Sequence, residues 1–391
     1  MKAIISDRII DGTGAEPFAG TIIVEGKHIV AVEKSDDIPP KAYVIDARGK
    51  TVMPGLIDGH NSISNGFPGV RRLRHYLQRG VTTMAVFHGN KPDGSMAAPL
   101  RDAVEAGYLR GCARMIVGYA VNCTNGHNKG RIADGPWEVR KAVREMVMAG
   151  ADFIKTAASG GFWAPDERCG VRNYTPEELE ALVEEAHAWD KPVGVHVHTQ
   201  PGLNYAIRAK ADIIYHGCFI DDEALEGIKR EGLWYMPTLK VTSEPNLTAW
   251  KDRPWMWEEM RQAHPIHRRG VRKAHEMGIK LALGTDGPGA KPTWKDGETA
   301  SFELLELVAC GLSPMEAILA GTRNVAQAYR KDHEIGTLEP NKRADLLVVD
   351  GNPLENIAVL RDPENICLVM KDGSVEATTE DWKQHYRVRD F

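Results

Sequence analysis

Pro192-Val193-Gly194-Val195-His196-Val197-His198 is an apolar, strand-like run that carries two imidazoles at its end. Upstream, Thr175-Pro176-Glu177-Glu178 opens a helix reaching about Trp189: a capping Thr, Pro at the first helical position and acidic residues in the first turn. The same alternation of helical stretch and short apolar run recurs outward in both directions. Residues 82–87 form such a run, followed by a helix near 99–106. Residues 115–120 form another, and Phe153-Ile154-Lys155 ends a short run after the helical segment 137–149. Ile213-Ile214-Tyr215-His216, Tyr235-Met236-Pro237-Thr238 and Leu281-Ala282-Leu283-Gly284-Thr285-Asp286 continue the series. Near-continuous apolar strands at this spacing predict a parallel sheet covered by helices. A doubly wound open sheet fits the spacing too, but no Gly-x-Gly-x-x-Gly follows the first strand. Ionisable residues stand at the C-terminal ends of at least five runs. That is the face on which a (β/α)8 barrel carries its active site, so an α/β fold built on a TIM barrel is expected.

The two ends of the chain read differently. Gly20-Thr21-Ile22-Ile23-Val24 and His28-Ile29-Val30-Ala31-Val32 make a hairpin pattern across Glu25-Gly26-Lys27, and Val44-Ile45-Asp46 extends it. Residues 344–349 and 367–373 repeat the pattern near the C-terminus. Neither set alone has enough strands to bury a sheet face. The termini are therefore expected to pair into one small β-sandwich, residues 1–52 plus 341–391, with the barrel, residues 53–340, inserted between them. The length of 391 residues allows this, since a single barrel takes about 250.

Composition, with 42% apolar and 26% charged residues, excludes a disordered, collagenous or coiled-coil chain. The 49 basic and 54 acidic residues are interspersed without a basic stripe, which argues against a nucleic-acid partner. No run reaches about 18 apolar residues, so no membrane span is expected. Charge at Lys2 and Asp7 interrupts any signal-peptide core, and six scattered cysteines without a Cys-x-x-Cys read as reduced thiols. A cytoplasmic location follows as the expectation.

The strand ends carry the chemistry. His60, His196 with His198, His216 and Asp286 are ligands suited to zinc or a similar divalent ion. A further run ends in Lys155, which is hard to place as an ammonium beside a cationic cluster. Buried lysines lose their proton readily, and a neutral amine can add carbon dioxide to become an anionic carbamate. Singly, each of these residues reads as structural; together, in strand order, they read as a metal site.

At this point the residues resemble a family. Pro54-Gly55-Leu56-Ile57-Asp58-Gly59-His60 is similar to the first-strand signature of the amidohydrolase superfamily. The lysine of the fourth strand, the histidines of the fifth and sixth, and the Asp of Gly284-Thr285-Asp286 match it in order. The stretches 336–346 and Gly351-Asn352-Pro353-Leu354 resemble its tail. The nearest branch resembles imidazolonepropionase-related and Xaa-Pro dipeptidase-like enzymes. The resemblance implies a barrel inserted in a β-sandwich, His60, Lys155, His196, His216 and Asp286 as metal ligands, and metal-activated hydroxide as nucleophile. One departure stands out: the family pattern His-x-His on the first strand reads His60-Asn61-Ser62 here. One tight metal, most simply zinc, with a second weak or absent, is the expectation, and Asp286 is expected to act as general base and acid.

His196 and His198 lie on the same side of their strand. The deeper His196 is taken as ligand, which leaves His198 at the cleft mouth. His127, in Asn122-Cys123-Thr124-Asn125-Gly126-His127, resembles a substrate-binding loop of the branch. Tyr215 is read either as packing or as a donor to an oxyanion. His88, Trp163 and Arg172 are candidates for the substrate pocket, with Arg131 and Arg168 as further carboxylate binders. Trp250, Trp255 and Trp257 lie in a loop-like stretch that reads either as a lid over an apolar or aromatic substrate or as a contact between subunits of a homo-oligomer. The expected activity is hydrolysis of an amide-like C–N bond of a small molecule. A deaminase, lactonase or decarboxylase on the same barrel, and a catalytically degraded binding protein, are the rivals.

Overall fold

Short runs with apolar side chains on both faces cannot stand at the surface of a sheet, and here each is sealed by a helix. The computed structural model describes residues 1–63, 65–88, 96–127, 130–162, 165, 167–287 and 294–382. In it the inserted region forms the parallel strands β1 Leu56–Ser62, β2 Val81–His88, β3 Arg114–Asn122, β4 Phe153–Ala157, β5 Val193–Val197, β6 Ile213–His216, β7 Trp234–Met236 and β8 Lys280–Leu281. Consecutive strands are hydrogen-bonded neighbours throughout. The sheet curls until its ends meet. Gly59 N–H donates to the Leu283 carbonyl at 3.0 Å, and Asp286 N–H to that of His60 at 2.8 Å.

The helix Pro176–Ala188 begins as its sequence predicts. Thr175 Oγ1 accepts from Glu178 N–H at 3.3 Å while the Glu178 carboxylate accepts from Thr175 N–H at 2.8 Å. Two expectations need correction. Lys155 does not end its strand; it stands at the middle of β4, with Thr156 and Ala157 still in the ladder. The stretch after β7 is not a loop but a 3-10 turn, Leu239–Thr242, followed by the helices Glu244–Ala249 and Pro254–Glu276. Pro245 and Pro254 sit in the first turns of those helices, where a missing N–H costs nothing, so these prolines start structure rather than break it.

The termini share one sheet. Lys2–Ile9, Phe18–Glu25, His28–Glu33, Tyr43–Asp46 and Thr51–Pro54 come from one end of the chain, and Leu346–Val349, Ile366–Lys371 and Ser374–Thr378 from the other. They join where Thr51–Pro54 runs antiparallel to Leu346–Val349, with Val52 opposite Val348. Alternation then assigns the side chains of that strand: Leu347 and Val349 pack into the barrel's core, whereas Leu346 and Val348 enter a separate cluster with Ile4 and Ile22. The fold is thus a (β/α)8 barrel inserted into a β-sandwich formed by both termini. All six cysteines are buried and free of disulfides, and no described helix is long and apolar enough to cross a membrane.

Candidate active site

A cavity of about 370 Å³ opens at the C-terminal end of the barrel strands. Its floor is organised by a carboxylate the cavity does not expose. Asp58, in the middle of β1, is fully buried; it accepts from His60 N–H at 3.2 Å, Asn61 Nδ2 at 2.7 Å, Thr285 N–H at 3.1 Å and Thr285 Oγ1 at 2.7 Å. Burial pushes its carboxyl up to about 6, against the pull of those four donors. Asp58 thereby fixes both His60 and the residue preceding Asp286. Asp286 itself takes a left-handed conformation, φ 58°, which swings its carboxylate to 3.5 Å from His60 Nε2.

On the opposite wall one hydrogen bond assigns a tautomer. His196 Nε2 faces the Gly160 carbonyl at 3.2 Å and can only donate there, so its lone pair is on Nδ1. His216, also left-handed at φ 70°, sets Nδ1 against Thr238 Oγ1 at 2.7 Å. His198 packs edge-on to His196, ring centroids 4.6 Å apart, and its buried Nδ1 has no hydrogen-bond partner among the described residues. His127 stacks on His196 at 3.7 Å and is held from behind by the Glu167 carboxylate.

Burial first, and then neighbouring positive groups, push His60, His196, His198 and His216 well below the usual imidazole range. They are neutral at pH 7, as metal ligands must be. Lys155 is buried beneath the same cavity with Nζ 4.5 Å from the centre of the Tyr215 ring, and burial lowers it to about 7. Burial raises the Asp286 carboxyl, opposed by Lys240 and Lys155. Neutral imidazoles with free lone pairs, one carboxylate, a near-neutral lysine and the orphaned His198 Nδ1 fit a borderline divalent ion. Among the described residues no three His, Cys, Asp or Glu side chains already converge at ligand spacing.

The amidohydrolase family model matches residues 51–375. The chain belongs to the amidohydrolase family. Ochratoxinase of Aspergillus niger is 28% identical to it, over 96% of this chain and 86% of that one. The crystal structure of ochratoxinase superposes with a TM-score of 0.83 at 27% identity, covering 96% and 95% of the two chains. A Xaa-Pro dipeptidase with methionine bound in its active site superposes at 0.85, with 27% identity over 96% and 99%. Imidazolonepropionase of Geobacillus thermodenitrificans is 24% identical over 91% and 89%. This amidohydrolase is accordingly a hydrolase of C–N bonds.

Of the residues expected in the site of this amidohydrolase, His60, Lys155, His196, His216, Asp286, His127 and His198 line the one cavity, together with Ser62. Tyr215 does not join them. Its hydroxyl points into the barrel core and meets Tyr329 Oη at 2.7 Å, so it is a packing residue. Arg172 is exposed and forms a backbone bridge to Ser159. Arg168 is also exposed, and Arg131 is held by Glu138 and Glu145. His88 closes β2, but its side chain lies outside the described residues, as does Trp163. Trp250 is buried on the cavity wall, whereas Trp255 is exposed and Trp257 packs behind it.

Sequence reasoning missed further parts of that wall, Phe162, Val241 and Met256 among them, and above all Lys240. Lys240 is 3% exposed; its Nζ donates to the Gly287 carbonyl at 2.7 Å, and the buried Glu303 carboxylate accepts from its backbone N–H at 2.9 Å. The signal was a lone charge inside Thr238-Leu239-Lys240-Val241, directly after a strand end.

Proposed function

We propose that this amidohydrolase is a metal-dependent enzyme that cleaves the amide-like C–N bond of a small molecule with an apolar or aromatic group. One observation carries the proposal. A single cavity joins His60, Lys155, His196, His216 and Asp286 to an apolar wall of Phe162, Trp250 and Met256. Lys155, His196 and His216 would hold a tight ion, zinc by its donor set, and His60 and Asp286 lie beside it; Ser62, where the family pattern has histidine, leaves the second position weak. The ion supplies Lewis acidity toward a carbonyl and a lowered pKa for water.

The chain's own residues do the rest. The Lys155 amine, brought near neutrality by burial, adds carbon dioxide through its nitrogen lone pair and loses a proton, becoming an anionic carbamate. The Asp286 carboxylate removes the proton from the attacking water and returns it to the departing amine nitrogen. His198 and His127 contact the substrate carbonyl from the mouth of the cavity. Phe162, Trp250 and Met256 exclude water from the apolar part of the substrate. The named activities of ochratoxinase and the Xaa-Pro dipeptidase support an amide as the scissile group. The buried free thiols support a cytoplasmic setting, and exposed Trp137 and Trp255 support assembly with further copies of the chain.

The test is metal content together with a product screen over dipeptides, N-acyl amino acids, lactones and aryl-ureas. A bound divalent metal with stoichiometric amine and carboxylate from an amide is the expected result. Ammonia without chain cleavage, carbon dioxide as the sole product, or no turnover overturns the proposal.

A further inference from the structure

The cavity has two unlike halves. On one side stand His196, His198 and His216 from β5 and β6. On the other, His60, Ser62 and Asp286 belong to β1 and the chain after β8. Lys240 reaches this second half from the turn after β7. Its Nζ donates to the carbonyls of Gly287 at 2.7 Å and Asp286 at 3.5 Å. Both of these partners are neutral carbonyls, so the charge is buried against them and open to the cavity. Burial lowers His60, and Lys155 and then Lys240 add to the effect; burial also lowers Lys240, opposed by Asp286, Glu303 and Asp58.

Lys240 cannot swing away easily. The Glu303 carboxylate accepts from the N–H groups of Leu239 at 2.5 Å and Lys240 at 2.9 Å, and the Lys240 carbonyl accepts from Ser243 Oγ at 2.8 Å. The side chain is therefore set on a fixed base and aimed at the half of the cavity where Ser62 stands in place of a second histidine.

We propose that Lys240 is the resident cation of the His60–Ser62–Asp286 half, so that its ammonium takes the electrostatic place of a second metal ion and excludes one. The inference rests on the metal-dependent reading above and adds to it a reason why one ion suffices. A divalent cation placed beside a buried ammonium whose direct partners are backbone carbonyls meets like-charge repulsion that the low-dielectric cavity amplifies. Replacing Ser62 by a histidine would then supply a ligand without removing the obstacle.

The experiment counts zinc by elemental analysis after dialysis against a zinc buffer, in four full-length chains: wild type, Ser62→His, Lys240→Met and the double variant. About one ion per chain is expected in the first three and about two in the double variant. Ser62→His combined with Lys240→Arg, which keeps the charge, should remain at about one. Thermal melts identify any chain that fails to fold. If both Met-containing chains do, Ser62→His alone still decides, because about two ions in it overturns the proposal and about one supports it. About two ions in the double variant with Arg, or about one in a folded double variant with Met, also overturns it. No zinc at all in wild type overturns the metal-dependent reading itself, which is a separate outcome.

Discussion

Asp286 owes its aim to its backbone. The left-handed turn at φ 58°, the N–H given to the His60 carbonyl and the Thr285–Asp58 bonds beneath it leave the carboxylate little freedom. Asp286→Asn keeps that shape and removes the base. We expect kcat on an amide substrate to fall by about 10²–10⁴ with the melting temperature little changed; an undiminished kcat would exclude Asp286 from proton transfer. Glu303 offers a different test, because burial raises its carboxyl from an ordinary 4.5 to about 8. A folded-state value above the unfolded one means that the native state holds the proton more tightly. The linked stability is full below about pH 4.5 and is lost as pH rises through about 8. Denaturation of wild type and Glu303→Gln between pH 6 and 9 should show wild type losing stability relative to the variant, and parallel curves would refute it. At this scale the sequence showed His60, His196, His216 and Asp286 because each interrupts an apolar run. It did not show Lys240, whose role depends on where a long side chain ends, nor the inward turn of Tyr215, whose hydroxyl finds Tyr329 more than a hundred residues away.

Strands and helices carry these side chains only where their own packing is exact in volume. Gly194 in β5 lies against Tyr215, and a Cβ there would stand 2.0 Å from the tyrosine hydroxyl. Neither the rigid ring nor a central strand can yield, so Gly194→Ala should destabilise the barrel by about 1–3 kcal/mol or more and displace His196. Urea denaturation reads the first effect and zinc affinity the second; an unchanged midpoint would show that the ring moves aside. The helix Pro176–Ala188 was legible because a capping box is a local device, satisfied by residues three apart. The helices after β7 were not, since Trp and Pro in Glu244–Ala249 and Pro254–Glu276 look like loop composition until they meet the apolar cluster of Phe162, Leu247 and Met260. Tertiary burial, absent from any local window, decided that segment.

The barrel and the terminal sheet meet through charge as well as through the shared face of Leu347 and Val349. Arg114, at the start of β3 and buried, contacts the Asp345 carboxylate, reaches Asp372 at 2.5 Å and donates to Glu105 at 3.1 Å. Arg343 spans Glu105 and Asp372, each at 3.0 Å. Two distant stretches of sequence are thus pinned at the barrel's N-terminal end, which supports our proposed division of the chain into residues 1–52 with 341–391 and residues 53–340. Removing Arg114 would strand the buried Asp345 carboxylate, while Asp372 keeps Arg343 and Lys371, and Arg114→Met should lower the unfolding free energy by about 3–5 kcal/mol at pH 7. Arg114→Lys should recover little of it, since one ammonium cannot serve three acceptors in a planar fork. The pH dependence separates charge from packing. Burial alone would raise the Asp372 carboxyl, but Arg114 and Lys371 outweigh it and hold the group well below the usual carboxylate range. Its contribution in wild type is therefore present above about pH 4 and lost as the medium becomes more acid. In Arg114→Met that carboxyl keeps Arg343 and Lys371 but loses its strongest opposing charge, so it protonates at a higher pH than in wild type. The difference in stability between the two proteins should shrink as pH falls below about 4. A difference that stays constant over that range would mean that the guanidinium holds the two sheets together by its volume and not by its charge.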